Sequence, residues 1–231
     1  MTPTLHVHPT AELAERVLLP GDPGRALLLA QALLEQPKMF NHNRGLWGYT
    51  GAAADGAPLT IQSTGMGGPS TAIVIEELVR LGARRLVRVG TCGALVDGIA
   101  LGDVLVAREA VCADGTSRAL GADERAAADA DLTEALETAA ERDGGARTGA
   151  VITTDLFYDA DGRHASPPPA DALAIEMETA TLFRLAALRD VQAGCVLAVS
   201  DLLGPARGRI DAEALEAAAE RIGRIAAAAL S

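Results

Sequence analysis

The feature that most constrains this chain is an alternation. Short apolar runs end in glycine-bearing loops, and each loop leads into a helical pattern. Val17-Leu18-Leu19-Pro20 runs into Gly21-Asp22-Pro23-Gly24-Arg25 and then into an apolar helix that reaches residue 34. Residues 39–50 and 59–64 read as strands, with Asp55-Gly56 as a hairpin-type turn between them. A helix over 70–81 follows, its buried face formed by Ile73, Ile75, Leu78, Val79 and Leu81. Further strands are expected at 85–89, 104–111, 148–153, 172–175 and 193–199, and further helices at 131–142, 178–188 and 212–230. Asp129 or Asp131 would cap the first of these helices, and Leu215, Ile222 and Ile225 form the core stripe of the last. Strands that alternate with helices require a largely parallel sheet covered on both faces. With no repeat and no linker, the expectation is a single domain over 1–231, a three-layer α/β/α fold.

Composition narrows the class. A chain of 231 residues can bury roughly 70% of its unfolded surface, and 49% hydrophobic residues is too many for a disordered one. A net charge of −11 argues against nucleic acid or anionic membrane as a partner. The apolar runs are too short to cross a membrane. His6, His8, Glu12 and Glu15 precede any apolar run, unlike a signal peptide. Cys92, Cys112 and Cys195 are scattered and lack metal-ligand spacing, which points to reduced thiols, a cytoplasmic protein and no metal site.

Three glycine loops fall at strand ends, where ligands bind in parallel sheets. Gly65-Met66-Gly67-Gly68-Pro69-Ser70 is a partial dinucleotide fingerprint, but arginines (Arg84, Arg85, Arg88) stand where an acid is needed. It also reads as a plain strand-to-helix turn, or as a helix N-terminus open to an anion. The Gly21–Gly24 loop places Arg25 at a helix start. In the third loop Arg88 interrupts the apolar strand Val87-Arg88-Val89 and needs an anionic partner if buried, either a ligand or a core glutamate.

Taken together these loops resemble the nucleoside phosphorylases of the bacterial hexameric purine nucleoside and uridine phosphorylase type. The matching segments run in family order: Val17–Ala26, Asn43-Arg44-Gly45, Gly65–Ser70, Arg88-Val-Gly-Thr-Cys-Gly-Ala94, Asp155-Leu-Phe-Tyr158, Glu176-Met-Glu-Thr-Ala180 and Val199-Ser-Asp201. The resemblance implies a mixed, mainly parallel twisted sheet forming a distorted barrel. It implies a homohexamer, a trimer of dimers, with active sites shared between subunits. Phosphate would be held by Gly21, Arg25, Arg88 and Thr91, with Arg44 reaching in from a neighbour. An N-terminal histidine, His6 or His8, would be lent to the neighbour's ribose 5′-hydroxyl. Glu176, Met177 and Glu178 would meet the nucleoside, and Phe157 and Arg163 the base. No cofactor is implied, since inorganic phosphate is the co-substrate.

The chemistry suits these residue types. Phosphorolysis sets an anionic nucleophile beneath C1′ while positive charge develops on the sugar. Arginines position the anion, and the Glu178 carboxylate would hold the ribose hydroxyls and favour an oxocarbenium-like transition state. Purine departure is eased by a general acid at N7. Asp201 ends an apolar strand, where burial can raise its pKa, and it matches the acid of the purine-cleaving members. Uridine-cleaving members carry a glutamine and an arginine in the loop after Phe157-Tyr158; here Arg163 fits the arginine but Asp161 replaces the glutamine. Arg207 or Arg209 would support Asp201. The rival classes are a phosphate-independent nucleosidase, a nicotinamide-dependent oxidoreductase and a nucleoside-binding protein without catalysis. None of them explains three arginines together with an acid.

Overall fold

The computed structural model describes residues 4–158, 169–203 and 207–231. In chain order the elements are β1 (Arg16–Leu19), α1 (Pro23–Leu33), β2 (Glu35–Asn41), a 3-10 turn (Asn43–Gly45), β3 (Gly48–Ala52), β4 (Pro58–Gln62) and α2 (Gly68–Leu81). The next are β5 (Arg85–Ala94), β6 (Val104–Cys112), α3 (Gly115–Ala119), β7 (Arg125–Ala127), α4 (Ala130–Arg142) and β8 (Arg147–Thr153). The chain ends with β9 (Ala172–Glu176), α5 (Thr179–Arg189), β10 (Gln192–Leu202), β11 (Gly208–Arg209) and α6 (Ala212–Ala229).

The strands form one mixed sheet in the order β11-β10-β6-β8-β9-β5-β1-β4-β3-β2, with β7 on β6. A further pairing of β5 with β10 closes five strands into a barrel. The length of β5 makes this possible. Its first half, Arg85 to Arg88, pairs with β1, and its far end, Gly93 and Ala94, pairs with β9 on the same edge. Its other edge pairs with β10 along the whole strand.

Two apolar layers sandwich the sheet. Leu29, Leu136 and Ile222 lie in the layer built by α1, α4 and α6, while Leu78, Phe183 and Leu185 lie in that of α2 and α5. Side-chain alternation along β5 sends Val87 and Val89 into the first layer and Leu86 into the second. Arg88 therefore shares the face of Leu86, beneath α5. Helix starts follow side-chain chemistry: Asp22 accepts from the Gly24 and Arg25 amides, and Asp129 and Asp211 cap α4 and α6.

Departures from the expected elements have local causes. The run at 39–50 is two strands, because Arg44 and Gly45 are left-handed (φ 57° and 70°) and the buried Asn41 carboxamide accepts from the His8 and Asn43 amides. β2 also begins earlier, at Glu35. Ile73 is exposed, and Val74 takes its place in the core. The short α3, β7 and β11 carry too few residues to show a period. The expected long loop at 159–171 lies mostly outside the described residues.

Candidate active site

At the carboxyl ends of β1, β5 and β10 the loops enclose a cleft of about 620 Å³. Gly21, Arg25, Arg88, Thr91, Phe157, Glu176, Met177, Glu178 and Asp201 all line it. His6 and Arg44 do not; they lie elsewhere on the same subunit. Arg163 falls outside the described residues.

Arg88 is the buried hub. Its Nε donates to Glu176 at 2.9 Å and its Nη2 reaches Glu178 at 2.5 Å. Burial opposes its charge, but the two carboxylates more than compensate and hold its pKa above the ordinary arginine value. Expected as a nucleoside contact, Glu176 has every oxygen engaged inside the protein. It accepts from Arg88, from the Thr153 hydroxyl at 2.5 Å and from the Glu178 and Thr179 amides at 2.9 and 3.0 Å. It thus ties β5 and β8 to the first turn of α5.

Glu178 accepts from the Gly67 amide at 2.5 Å. That contact depends on the Gly65 loop, whose Gly65 and Gly67 are left-handed (φ 77° and 83°), a conformation that side-chained residues rarely adopt. Burial, with Glu176 close by, raises the pKa of Glu178 against the pull of Arg88. Arg25 has no ion-pair partner among the described residues. Burial first and the neighbouring Arg88 second lower its pKa. The cleft thus presents two guanidiniums, one of them without an ion-pair partner among the described residues, an arrangement of charge suited to an anion.

At the other end, the register of β10 against β5 slips by one between Val199 and Asp201. This bulge lets the consecutive side chains of Ser200 and Asp201 both face the cleft, which a regular strand forbids. The Ser200 hydroxyl donates to Asp201 at 2.7 Å. Contrary to the expectation of burial, the Asp201 side chain is 25% exposed. Of the two candidate arginines it is Arg209 that faces it: β11 pairs Arg209 directly opposite Asp201, with Nε 3.7 Å from Oδ1. Ile175 and Leu203, which no matched segment includes, and Leu156, which the Asp155–Tyr158 segment includes without assigning it a role, add apolar wall beside Phe157 and Met177. The signal for Ile175 and Leu203 in the sequence is only their closeness to the matched segments. Burial pushes the Cys195 thiol up to about 12 and that of Cys92 also well up, so neither is a thiolate nucleophile. Among the described residues no group of three or more His, Cys, Asp or Glu could hold a metal ion.

A mixed sheet closed into a five-stranded barrel, with paired arginines and glutamates at its strand ends, defines the class: residues 15–231 match the Phosphorylase superfamily, and the chain belongs to that family. Among its relatives, the purine nucleoside phosphorylase DeoD-type of Oceanobacillus iheyensis is 39% identical over 82% of this chain and 83% of its own length. Those of Geobacillus kaustophilus and Bacillus cereus are 40% and 41% identical, over 83% and 82% of this chain and 83% of theirs.

Proposed function

We propose that this chain is a purine nucleoside phosphorylase, cleaving purine ribo- or deoxyribonucleosides with inorganic phosphate to give the free base and the pentose 1-phosphate. The observation that carries this reading is one cleft lined by the arginine pair Arg25 and Arg88, by Glu178 against Arg88, and by Asp201 on the bulge of β10. Phosphate, held by Arg25, Arg88, Thr91 and Gly21, attacks C1′ and forms the new C–O bond. The C1′–N9 bond breaks, its electron pair passes to the base, and Asp201 protonates N7. Glu178 holds the ribose hydroxyls and offsets charge on the ring. Glu176 acts through Arg88 and the first turn of α5. The apolar wall of Phe157 and Leu203 receives the base, and Met177 packs against the sugar.

The reading extends to the assembly. His6 and Arg44 lie off their own cleft but close to each other, with the Asn43 carboxamide donating to the His6 carbonyl at 2.9 Å. The surrounding surface exposes Leu5, Trp47 and Ile73. These features support a homo-oligomer in which His6 and Arg44 complete a neighbour's site; the hexamer built as a trimer of dimers, each chain a single domain over 1–231, follows from the family resemblance. The enzyme needs no cofactor. The reading also places the protein in the cytoplasm, on the strength of its free cysteines, and gives it no nucleic-acid or membrane partner, on the strength of its net charge of −11; no described helix is long and apolar enough to cross a membrane.

The test is base release from adenosine, inosine, guanosine and uridine, each with and without phosphate. Phosphate-dependent release from the purine nucleosides is expected, with uridine cleaved poorly. Release that ignores phosphate would make the enzyme a hydrolase and leave the arginine pair unexplained. Strong uridine cleavage would remove Asp201 as the determinant of base choice.

A further inference from the structure

We propose that Glu77 is a positioning residue for this reaction: it holds the His6 imidazole with Nδ1 turned inward, so that Nε2 is the ring atom offered to a substrate hydroxyl. The proposal rests on the proposed function, in which His6 meets the ribose 5′-hydroxyl.

Glu77 lies within α2 and is 6% exposed. Its helix neighbour Glu76 pairs with Arg189, but no arginine or lysine pairs with Glu77 among the described residues. A buried carboxylate without a cation needs a full set of donors. Here three consecutive backbone amides supply them: Leu5 at 3.0 Å, His6 at 2.9 Å and Val7 at 2.7 Å. The fourth partner is the His6 ring, with Nδ1 2.8 Å from Oε1. Burial resists ionisation, yet these hydrogen bonds bring the Glu77 pKa down to about 2, so it is a carboxylate at neutral pH.

That charge state settles the direction of the fourth hydrogen bond. A carboxylate only accepts, so Nδ1 must carry the proton that joins ring to helix. In neutral imidazole Nε2 is then the lone-pair nitrogen, suited to accept from a hydroxyl. The same arrangement, a carboxylate behind a histidine, orients rings in metal and catalytic sites. A clamp needed only to hold the N-terminal segment would be complete with the three amides; the ring contact is additional. The His6 ring is partly exposed, with 26% of its side-chain surface open. Its carbonyl accepts from Asn43, so α2 also anchors the turn that carries Arg44.

The experiment compares kcat/KM for a purine ribonucleoside and its 5′-deoxy counterpart in the full-length enzyme, its Glu77→Gln, Glu77→Asp and His6→Ala variants, and the Glu77→Gln/His6→Ala double variant. One neutral hydrogen bond corresponds to about three- to tenfold, and the native enzyme is expected to favour the 5′-hydroxyl by about that factor. His6→Ala should level the two substrates. Glu77→Gln should remove most of the same preference, because an amide NH₂ facing Nδ1 reverses the ring's donor and acceptor nitrogens. The double variant should lose no more preference than His6→Ala alone, and the KM for phosphate should stay within about twofold throughout, as one lost hydrogen bond elsewhere predicts. If Glu77→Gln does not fold, Glu77→Asp, which keeps the charge but is too short to reach the ring, should give the same loss. A preference that survives in His6→Ala overturns the role of His6 itself. A preference lost in His6→Ala but kept in the folded Glu77 variants overturns the role of Glu77 and leaves His6 in place.

Discussion

Arg88 and Arg25 face the same cleft under opposite electrostatic conditions. Arg88 spends its charge on two buried glutamates, whereas Arg25 keeps its own for whatever anion enters. The two should therefore fail differently. Arg25→Ala is expected to raise the KM for phosphate by about ten- to a hundredfold, the worth of one or two charge-assisted hydrogen bonds, with little change in melting temperature. Arg88→Ala should raise that KM, lower kcat and also destabilise the fold by about 3–5 kcal/mol, because it strands Glu176 and Glu178 without their cation. Phosphate titrations and thermal melts of both variants separate the cases. An Arg88→Ala enzyme with native phosphate dependence would make Arg88 purely structural. Arg88 is visible in the sequence as a charge inside an apolar strand. Its partners are not, because Glu176 is 88 residues away and meets it only across a strand pairing. Glu77 leaves no signal beyond a second glutamate in a helix.

Among the elements, β5 and β10 do most to build the site. Sequence pattern alone stops β5 at residue 89, since glycines and Thr91 lower its apparent propensity. It continues to Ala94 because both of its edges are occupied, and that continuation closes the barrel. Gly90 is needed there: a Cβ would lie 2.7 Å from the Arg88 guanidinium and 3.0 Å from Leu197. Gly90→Ala should therefore fold with a stability loss of about 1–3 kcal/mol, typical of overpacking, while the displaced guanidinium raises the KM for phosphate about tenfold, the worth of one charge-assisted hydrogen bond. An unchanged KM in the folded variant would mean that the pair of arginines tolerates movement. In β10 the bulge that brings Ser200 and Asp201 to the same side leaves no mark in the apolar run that precedes it. Helices are easier to read, because Asp22, Asp129 and Asp211 announce their starts through side-chain oxygens that need no tertiary partner.

At the scale of the whole molecule, the geometry divides the expected site between two surfaces of one subunit. The cleft holds Arg25, Arg88 and Glu178, while Arg44 lies outside it, on a left-handed turn braced by Asn41 and Asn43. Chains carrying Arg44→Ala and chains carrying Glu178→Ala should each be nearly inactive alone. When co-assembled they should regain part of the native rate, because some sites then draw an intact Arg44 from one chain and an intact Glu178 from the other. Mass-verified mixed oligomers that stay inactive would mean that each subunit completes its own site.

What the sequence by itself determined is local. Periodicity, side-chain caps and turn chemistry act within a few residues of one another, so the alternating α/β order, the Asp55-Gly56 hairpin and the glycine loops are legible without any long-range contact. The matched motifs add Gly21, Arg25, Arg88, Thr91 and Glu178 as residues that belong together. Only the tertiary structure decided the closure of five strands into a barrel, the engagement of Glu176 by Arg88, the choice of Arg209 over Arg207 beside Asp201, and the bond between Glu77 and His6. Each of these is a contact between segments brought together by the fold. Its partners are selected by strand register and by the donors that a buried charge demands, and neither leaves a period in the sequence.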